Sequence, residues 1–310
     1  MNTERALNLY ERPLSALSAL ADRLRQENCG NEMALCSIIN ARSGHCSEDC
    51  AFCAQSAHNN AETEIYDLVD TNRIVQAASE AAELGSSHFG IVTSGAGLQD
   101  DEIDRVVRAV ERINDELDMK VCASLGNLSE DAFAELKQAG LNRYNHNVET
   151  SRRYFSEIVS THSYEDRVNT VRAAAAQDIS VCCGGIIGMG ESRRDRVSMA
   201  ATIRELPVDS VPINILMPVP GTPLNDAEPL SSTEILKTIC VFRVLMPDRT
   251  IKVAGGRESA LGDFQGMAFT SGANGMIVGD YLTQRGRSPE DDMRLIGELE
   301  EAWGLEDNES

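Results

Sequence analysis

The chain has 310 residues, 42% of them apolar and 25% charged, which fits a packed globular protein with a full core and excludes a disordered one. With 28 basic against 49 acidic residues the net charge is −21, a balance that disfavours nucleic acid and anionic membrane surfaces as partners. No stretch reaches the roughly 18 apolar residues of a membrane helix, and Met1 to Leu20 carries Glu4, Arg5, Glu11 and Arg12, unlike a secretory signal. A cytoplasmic protein is expected.

Residues 1–30 read as an N-terminal helical extension. A first buried strand is expected at Ala34–Asn40, followed by a cysteine-rich loop, and a second at His88–Thr93. In Asp100–Ile113 the residues Ile103, Val106, Val107, Val110 and Ile113 mark one face of a helix. A third strand follows at Lys120–Leu125. Ser129 then opens a capped helix that ends before Gly140. Further strands are expected at Asn142–Asn147, Ile179–Ile187, Ser210–Met217, Thr250–Ala254 and Asn274–Val278, with helices at Ser163–Gln177, Ser192–Leu206 and Ser231–Val244. Residues 305–310 read as a flexible acidic tail.

Eight strands, most followed by a helix, predict an α/β protein: a (β/α)8 TIM-type barrel over residues 31–304. The alternative is an open doubly wound sheet. Its dinucleotide-binding form is weakened because no G-x-G-x-x-G follows the first strand. Chemistry in such barrels gathers at the C-terminal ends of the strands. Cys46, Cys50 and Cys53 follow the first strand and Cys122 lies on the third. Asn145, Asn147 and Glu149 end the fourth. Cys182 lies on the fifth strand, Asn214 on the sixth, and Arg257 just beyond the seventh. Their convergence predicts a single active site.

Nine cysteines without a secretory signal favour metal chemistry over disulfides. Cys46, Cys50 and Cys53 form C-x3-C-x2-C, and Gly44 supplies the freedom a tight metal loop needs. Three soft thiolates suit an iron–sulfur cluster or zinc, with His45 or His58 as a possible fourth zinc ligand. A cubane cluster takes four ligands, so three cysteines leave one iron open to a small molecule. That arrangement, with Phe52 before the last cysteine, is the signature of radical S-adenosylmethionine (SAM) enzymes.

Over about residues 35–278 the chain resembles the biotin synthase family. The likeness rests on Cys36-Ser-Ile-Ile-Asn-Ala-Arg-Ser-Gly-His-Cys46, Tyr144-Asn-His-Asn-Val-Glu-Thr-Ser151, Val181-Cys-Cys-Gly-Gly-Ile-Ile-Gly-Met-Gly-Glu191, Val211-Pro-Ile-Asn-Ile-Leu216, Pro220-Gly-Thr-Pro-Leu224 and Ala254-Gly-Gly-Arg-Glu258. The resemblance implies a homodimeric barrel enzyme that converts dethiobiotin to biotin. A flavodoxin- or ferredoxin-type protein would donate the electron. Cys46, Cys50 and Cys53 would hold a 4Fe-4S cluster with SAM on its open iron, giving a 5′-deoxyadenosyl radical.

The resemblance also implies an auxiliary cluster, 2Fe-2S or another sulfur-rich type, that supplies sulfur and takes Cys122, Cys182 and Arg257 as ligands. Where the family pattern has a fourth ligand, a cysteine on the second strand, this chain has Gly90, as in a subgroup of the family. Cys182 is expected to face inward and the adjacent Cys183 outward.

Phe52, Asn145, Glu149 and Arg167 are the expected SAM-binding residues, and Asn147 and Asn214 the expected contacts to dethiobiotin. Asparagine donates and accepts, which suits an ureido ring. By resemblance Arg167 faces the SAM carboxylate, where a guanidinium makes a paired contact. His146 is expected to turn away and satisfy a backbone group. The alternatives are a related radical SAM enzyme that inserts no sulfur, and a zinc-stabilised binding module.

Overall fold

The computed structural model describes residues 1–304; the expected acidic tail, 305–310, lies outside the described residues. Nine parallel strands form one sheet: β1 (Ala34–Arg42), β2 (His88–Thr93), β3 (Lys120–Ser124), β4 (Arg143–Asn145), β5 (Ser180–Cys182), β6 (Gly185–Ile187), β7 (Ser210–Ile215), β8 (Thr250–Val253) and β9 (Gly275–Ile277). Their order is β5-β4-β3-β2-β1-β9-β8-β7-β6, and a β5–β7 pairing at Cys182 and Ser210 closes the ring. Since β5 and β6 together occupy the place of one barrel strand, the (β/α)8 expectation holds.

The expected fifth strand, Ile179–Ile187, is broken in two at Cys183–Gly184. At Gly184 the chain runs so close to β7 that an added Cβ would lie 1.8 Å from the Pro212 carbonyl oxygen. Only glycine permits that approach. Beyond it, β6 pairs with β7 from Gly185 opposite Ile213.

The helices begin where the hydroxyl side chains place them. Ser129, Ser163, Ser192 and Ser231 each accept a hydrogen bond from the amide three residues on, and Asp166 and Asp195 return the bond to their caps. Ile103, Val106, Val110 and Ile113 of the helix Asp100–Glu116 are buried against the barrel. The N-terminal extension forms the helices Thr3–Leu7 and Leu14–Cys29, and Tyr10 anchors it by donating to the Thr238 hydroxyl at 3.1 Å. The helix Pro289–Ala302 is joined to the barrel through a fully buried Arg257–Asp292 ion pair at 2.8 Å. Among the described residues no helix is long and apolar enough to cross a membrane.

Candidate active site

The loop after β1 carries Cys46, Cys50 and Cys53. Gly44 (φ 78°) and His45 (φ 47°) turn it through left-handed conformations, and a side chain at Gly44 would place Cβ 2.7 Å from Ile65. The Cys46 amide donates to the Gln55 carbonyl at 3.0 Å, and the Ala57 amide donates to the Cys46 carbonyl at 2.8 Å. Asn59 donates to the Cys50 and Cys53 carbonyls at 3.1 and 2.9 Å. Asp49 accepts from the Ser160 and Thr161 amides at 2.9 and 3.1 Å, which ties the loop to the segment after β4. With the backbone so engaged, the three half-buried thiols stay free.

These thiols suit a metal cluster. Burial, then the Glu149 carboxylate and the Cys53 thiol, push the Cys50 thiol far above its ordinary value. Burial also pushes Cys53 up to about 11, with Cys46 adding to the shift. Crowded thiols of this kind ionise when a cation takes the place of their protons. Among the described residues no three metal-ligating side chains converge on one ion. A cubane does not require that, because each thiolate meets a different iron. His58, a possible zinc ligand, instead sets its Nε2 at 2.9 Å from the Ser47 carbonyl, and His45 lines a neighbouring cleft.

The three cysteines border a cavity of about 430 Å³ inside the barrel mouth. Phe52, Cys122, Cys182, Asn145, Asn147, Glu149, Arg167 and Asn214 also line it, so the structure brings these expected site residues together. Strand alternation does not deliver Glu149, because β4 ends at Asn145. Instead a left-handed turn (φ 64°) re-aims it, and its carbonyl accepts from the Ile186 amide at 2.8 Å. Arg167 pairs with the Glu149 carboxylate and donates to the Asn147 carbonyl at 2.7 Å. The second Glu149 oxygen, Oε2, is buried with no hydrogen-bond partner among the described residues. Burial raises the Glu149 pKa, and Arg167 opposes that rise. An unpartnered buried carboxylate oxygen beside three free thiols suits a ligand carrying ammonium or hydroxyl donors.

The asparagines are partly committed to the scaffold. Asn147 Oδ1 accepts from the Gly184 amide at 3.1 Å. Asn214 Oδ1 accepts from the Gly255 amide at 3.0 Å, and its Nδ2 donates to the Gly185 carbonyl at 3.3 Å. Asn145 reaches the Ser124 hydroxyl at 3.5 Å. His146 turns away and stacks on Tyr144 with centroids 6.4 Å apart. Its Nε2 is buried with no partner among the described residues, so the expected backbone contact is not made there, and burial holds its pKa well below the ordinary value. Cys183 packs in the apolar core, whereas Cys182 lines the cavity.

Arg257 departs from expectation. It is fully buried away from the cavity, and its guanidinium donates to Asp292 at 2.8 Å and to Gln265 at 2.5 Å. Gly256 just before it is left-handed (φ 80°) and lies against the Ile215 carbonyl, and Arg257 opens the short helix Arg257–Leu261.

The sequence reading passed over Cys36, Arg143 and Lys252, which all line the cavity. Lys252 Nζ lies 2.8 Å from Cys36 Sγ. Burial would lower the Lys252 pKa, but Cys36, Cys182 and Cys122 together hold it above the ordinary value. Burial pushes the Cys122 thiol up to about 12, with Cys36 adding to it. The signal was present in the sequence: Lys252 is a charge set between Ile251 and Val253 in a strand otherwise fit for burial. Tyr281 to Gln284 also line the cavity, and Asn40 donates to the Leu282 carbonyl at 3.2 Å.

The Radical SAM superfamily model matches residues 41–203, and the Biotin and Thiamin Synthesis associated domain model matches residues 212–301. The chain is 48% identical over 286 residues to the biotin synthase of Geobacter sulfurreducens, covering 92% of this chain and 87% of that one. It is 47% identical over 280 residues to that of Acetivibrio thermocellus, covering 90% and 87%. Its fold superposes on methylornithine synthase with a TM-score of 0.83, at 21% identity over 96% and 92% of the two chains. It superposes on the FeFe-hydrogenase maturase HydG from Carboxydothermus hydrogenoformans with a TM-score of 0.82, at 16% identity over 96% and 74%. At such identities the structural likeness is one of fold alone.

Proposed function

The chain belongs to the biotin synthase family of radical SAM enzymes, and on that premise we propose that the cavity described above is where it inserts sulfur into dethiobiotin to give biotin. One observation carries this reading: Cys46, Cys50 and Cys53 border the same cavity whose wall holds Cys122 and Cys182. A radical formed at the first group of thiols and sulfur held at the second would then share one enclosed space. When bound, the 4Fe-4S cluster with SAM supplies a radical able to take hydrogen from unactivated carbon, and a second iron–sulfur cluster supplies sulfur.

The chain's own residues bind, orient and enclose. Cys46, Cys50 and Cys53 would hold the first cluster, with Phe52 shielding it. The partnerless Glu149 oxygen would accept from the SAM amino group or ribose, and Arg167 would pair with the SAM carboxylate while holding Glu149 in place. Asn145 would contribute a further polar contact to SAM. Asn147 and Asn214 each accept from a backbone amide, and Asn214 also donates to the Gly185 carbonyl; the polar capacity left on each would serve the ureido group. The apolar part of the wall, with Ile38, Phe52, Ile186 and Leu216, would limit the water that reaches a reactive radical. A flavodoxin- or ferredoxin-type electron donor and a homodimer belong to the same proposal.

Anaerobic incubation with SAM, a reductant and dethiobiotin tests the reading. Both 5′-deoxyadenosine and biotin are expected. Cys50→Ala should abolish both, whereas Cys182→Ala should keep some deoxyadenosine release and lose biotin. Deoxyadenosine without biotin from the unaltered chain would reject sulfur insertion. Equal loss of both products in the two variants would reject the separate roles.

A further inference from the structure

Five strands bring a second group of side chains to the inner wall: Cys36 from β1, Cys122 from β3, Arg143 from β4, Cys182 from β5 and Lys252 from β8. The three thiols stand outside the contiguous apolar core, although Cys183 and Cys240 are part of it. Packing therefore does not account for them. Lys252 is only 4% exposed. Among the described residues no carboxylate pairs with it, and the polar atom it reaches is Cys36 Sγ at 2.8 Å. A buried ammonium without a counter-charge is costly, so three thiols and a cation in one wall point to an anionic group that needs both.

Neighbouring strands explain why β1 supplies the third thiol. Ile38, Gly90, Cys122 and Arg143 lie side by side in register across β1 to β4. A Cβ added at Gly90 would stand 3.0 Å from Ile38 Cγ2, tighter than nearly all real contacts. The place a cysteine on β2 would take is thus crowded by Ile38, which would have to shift to admit it. Cys36 is two residues before Ile38 on the same face of β1 and projects into the same cavity.

We propose that Cys36, Cys122 and Cys182 are the protein thiolates that hold the second iron–sulfur cluster, with Lys252 and Arg143 as its cationic surround. The proposal rests on the reading above that a second cluster exists. Three thiolates on a sulfide-containing cluster carry negative charge, and two buried cations offset it. Soft sulfur ligands select iron–sulfur clusters over hard cations.

The test separates this assignment from the reading beneath it. In the full-length chain, Cys46, Cys50 and Cys53 are changed to Ala, and the protein is reconstituted anaerobically with ferrous iron and sulfide. Iron and sulfide per chain and the Mössbauer spectrum then report the second cluster alone. We expect that parent to retain a cluster, and Cys36→Ala in the same background to reduce iron to background as Cys122→Ala does, with circular dichroism unchanged. An unaltered iron content in the Cys36→Ala variant would overturn the assignment. A parent already empty of iron would overturn the two-cluster reading and the assignment with it. Lys252→Met should keep the cluster and move its reduction potential to more negative values, since a cation beside an anionic cluster favours the added electron. An unmoved potential would remove Lys252 from the proposal.

Discussion

Arg167 shows how one side chain can serve scaffold and ligand together. Its Nε holds the Asn147 carbonyl at 2.7 Å, and another of its nitrogens pairs with Glu149, which leaves further donors on the fork. Arg167→Ala should weaken SAM binding by about tenfold to a hundredfold, the range expected when a charge-assisted contact is lost and a buried carboxylate is left alone. Titrating SAM against the spectrum of the reduced first cluster measures this, and unchanged affinity would place Arg167 outside the site. Legibility at this scale depended on distance along the chain. Cys46, Cys50 and Cys53 announce themselves because eight consecutive residues contain them. Cys36 and Lys252 do not, because their meeting is set by β1 and β8 pairing with β9 between them. Arg257, whose place in sequence points to the mouth, is committed instead to Asp292 and Gln265, partners that only the fold brings to it.

The helix Arg193–Glu205 is held at its start by a carboxylate with several partners. Asp195 accepts from Ser151 at 2.7 Å and from Ser192, and pairs with Arg153. Burial would raise the Asp195 pKa, but Arg153, Ser192 and Ser151 overcome that and hold it well below the usual carboxylate range. A depressed carboxylate contributes stability above its unfolded pKa and loses it as pH falls through the lower folded value. Asp195→Ala should therefore cost about 2 kcal/mol near neutrality, and the gap from the unaltered chain should close in strong acid. Denaturant melts of the cluster-free chain across pH measure it; a gap that persists in acid would show that the carboxylate's charge is not the cause. Capped helices of this kind were readable from sequence because cap and partner lie three residues apart. The break between β5 and β6 was not, because the Pro212 carbonyl that Gly184 approaches there comes from another strand.

Across the whole molecule, 49 acidic residues face 28 basic ones. Mutual repulsion among like charges opposes the compact state and weakens as salt screens it. The thermal midpoint of the chain should thus rise as potassium chloride is added from low ionic strength; a midpoint that falls would mean that specific ion pairs such as Arg193–Glu234 outweigh the general repulsion. The barrel itself was legible because alternating strands and helices recur along the entire chain. Its closure depends on the two ends: β1 pairs with β9, Leu35 lying opposite Met276, and Arg257 reaches Asp292 in the last long helix. During synthesis at ~5–20 residues per second, the flank of β1 that β9 will cover waits on the order of ten seconds or more for its partner to leave the ribosome. An uncovered strand flank invites pairing with other chains, so that flank of the nascent protein stays open to them until β9 has been made.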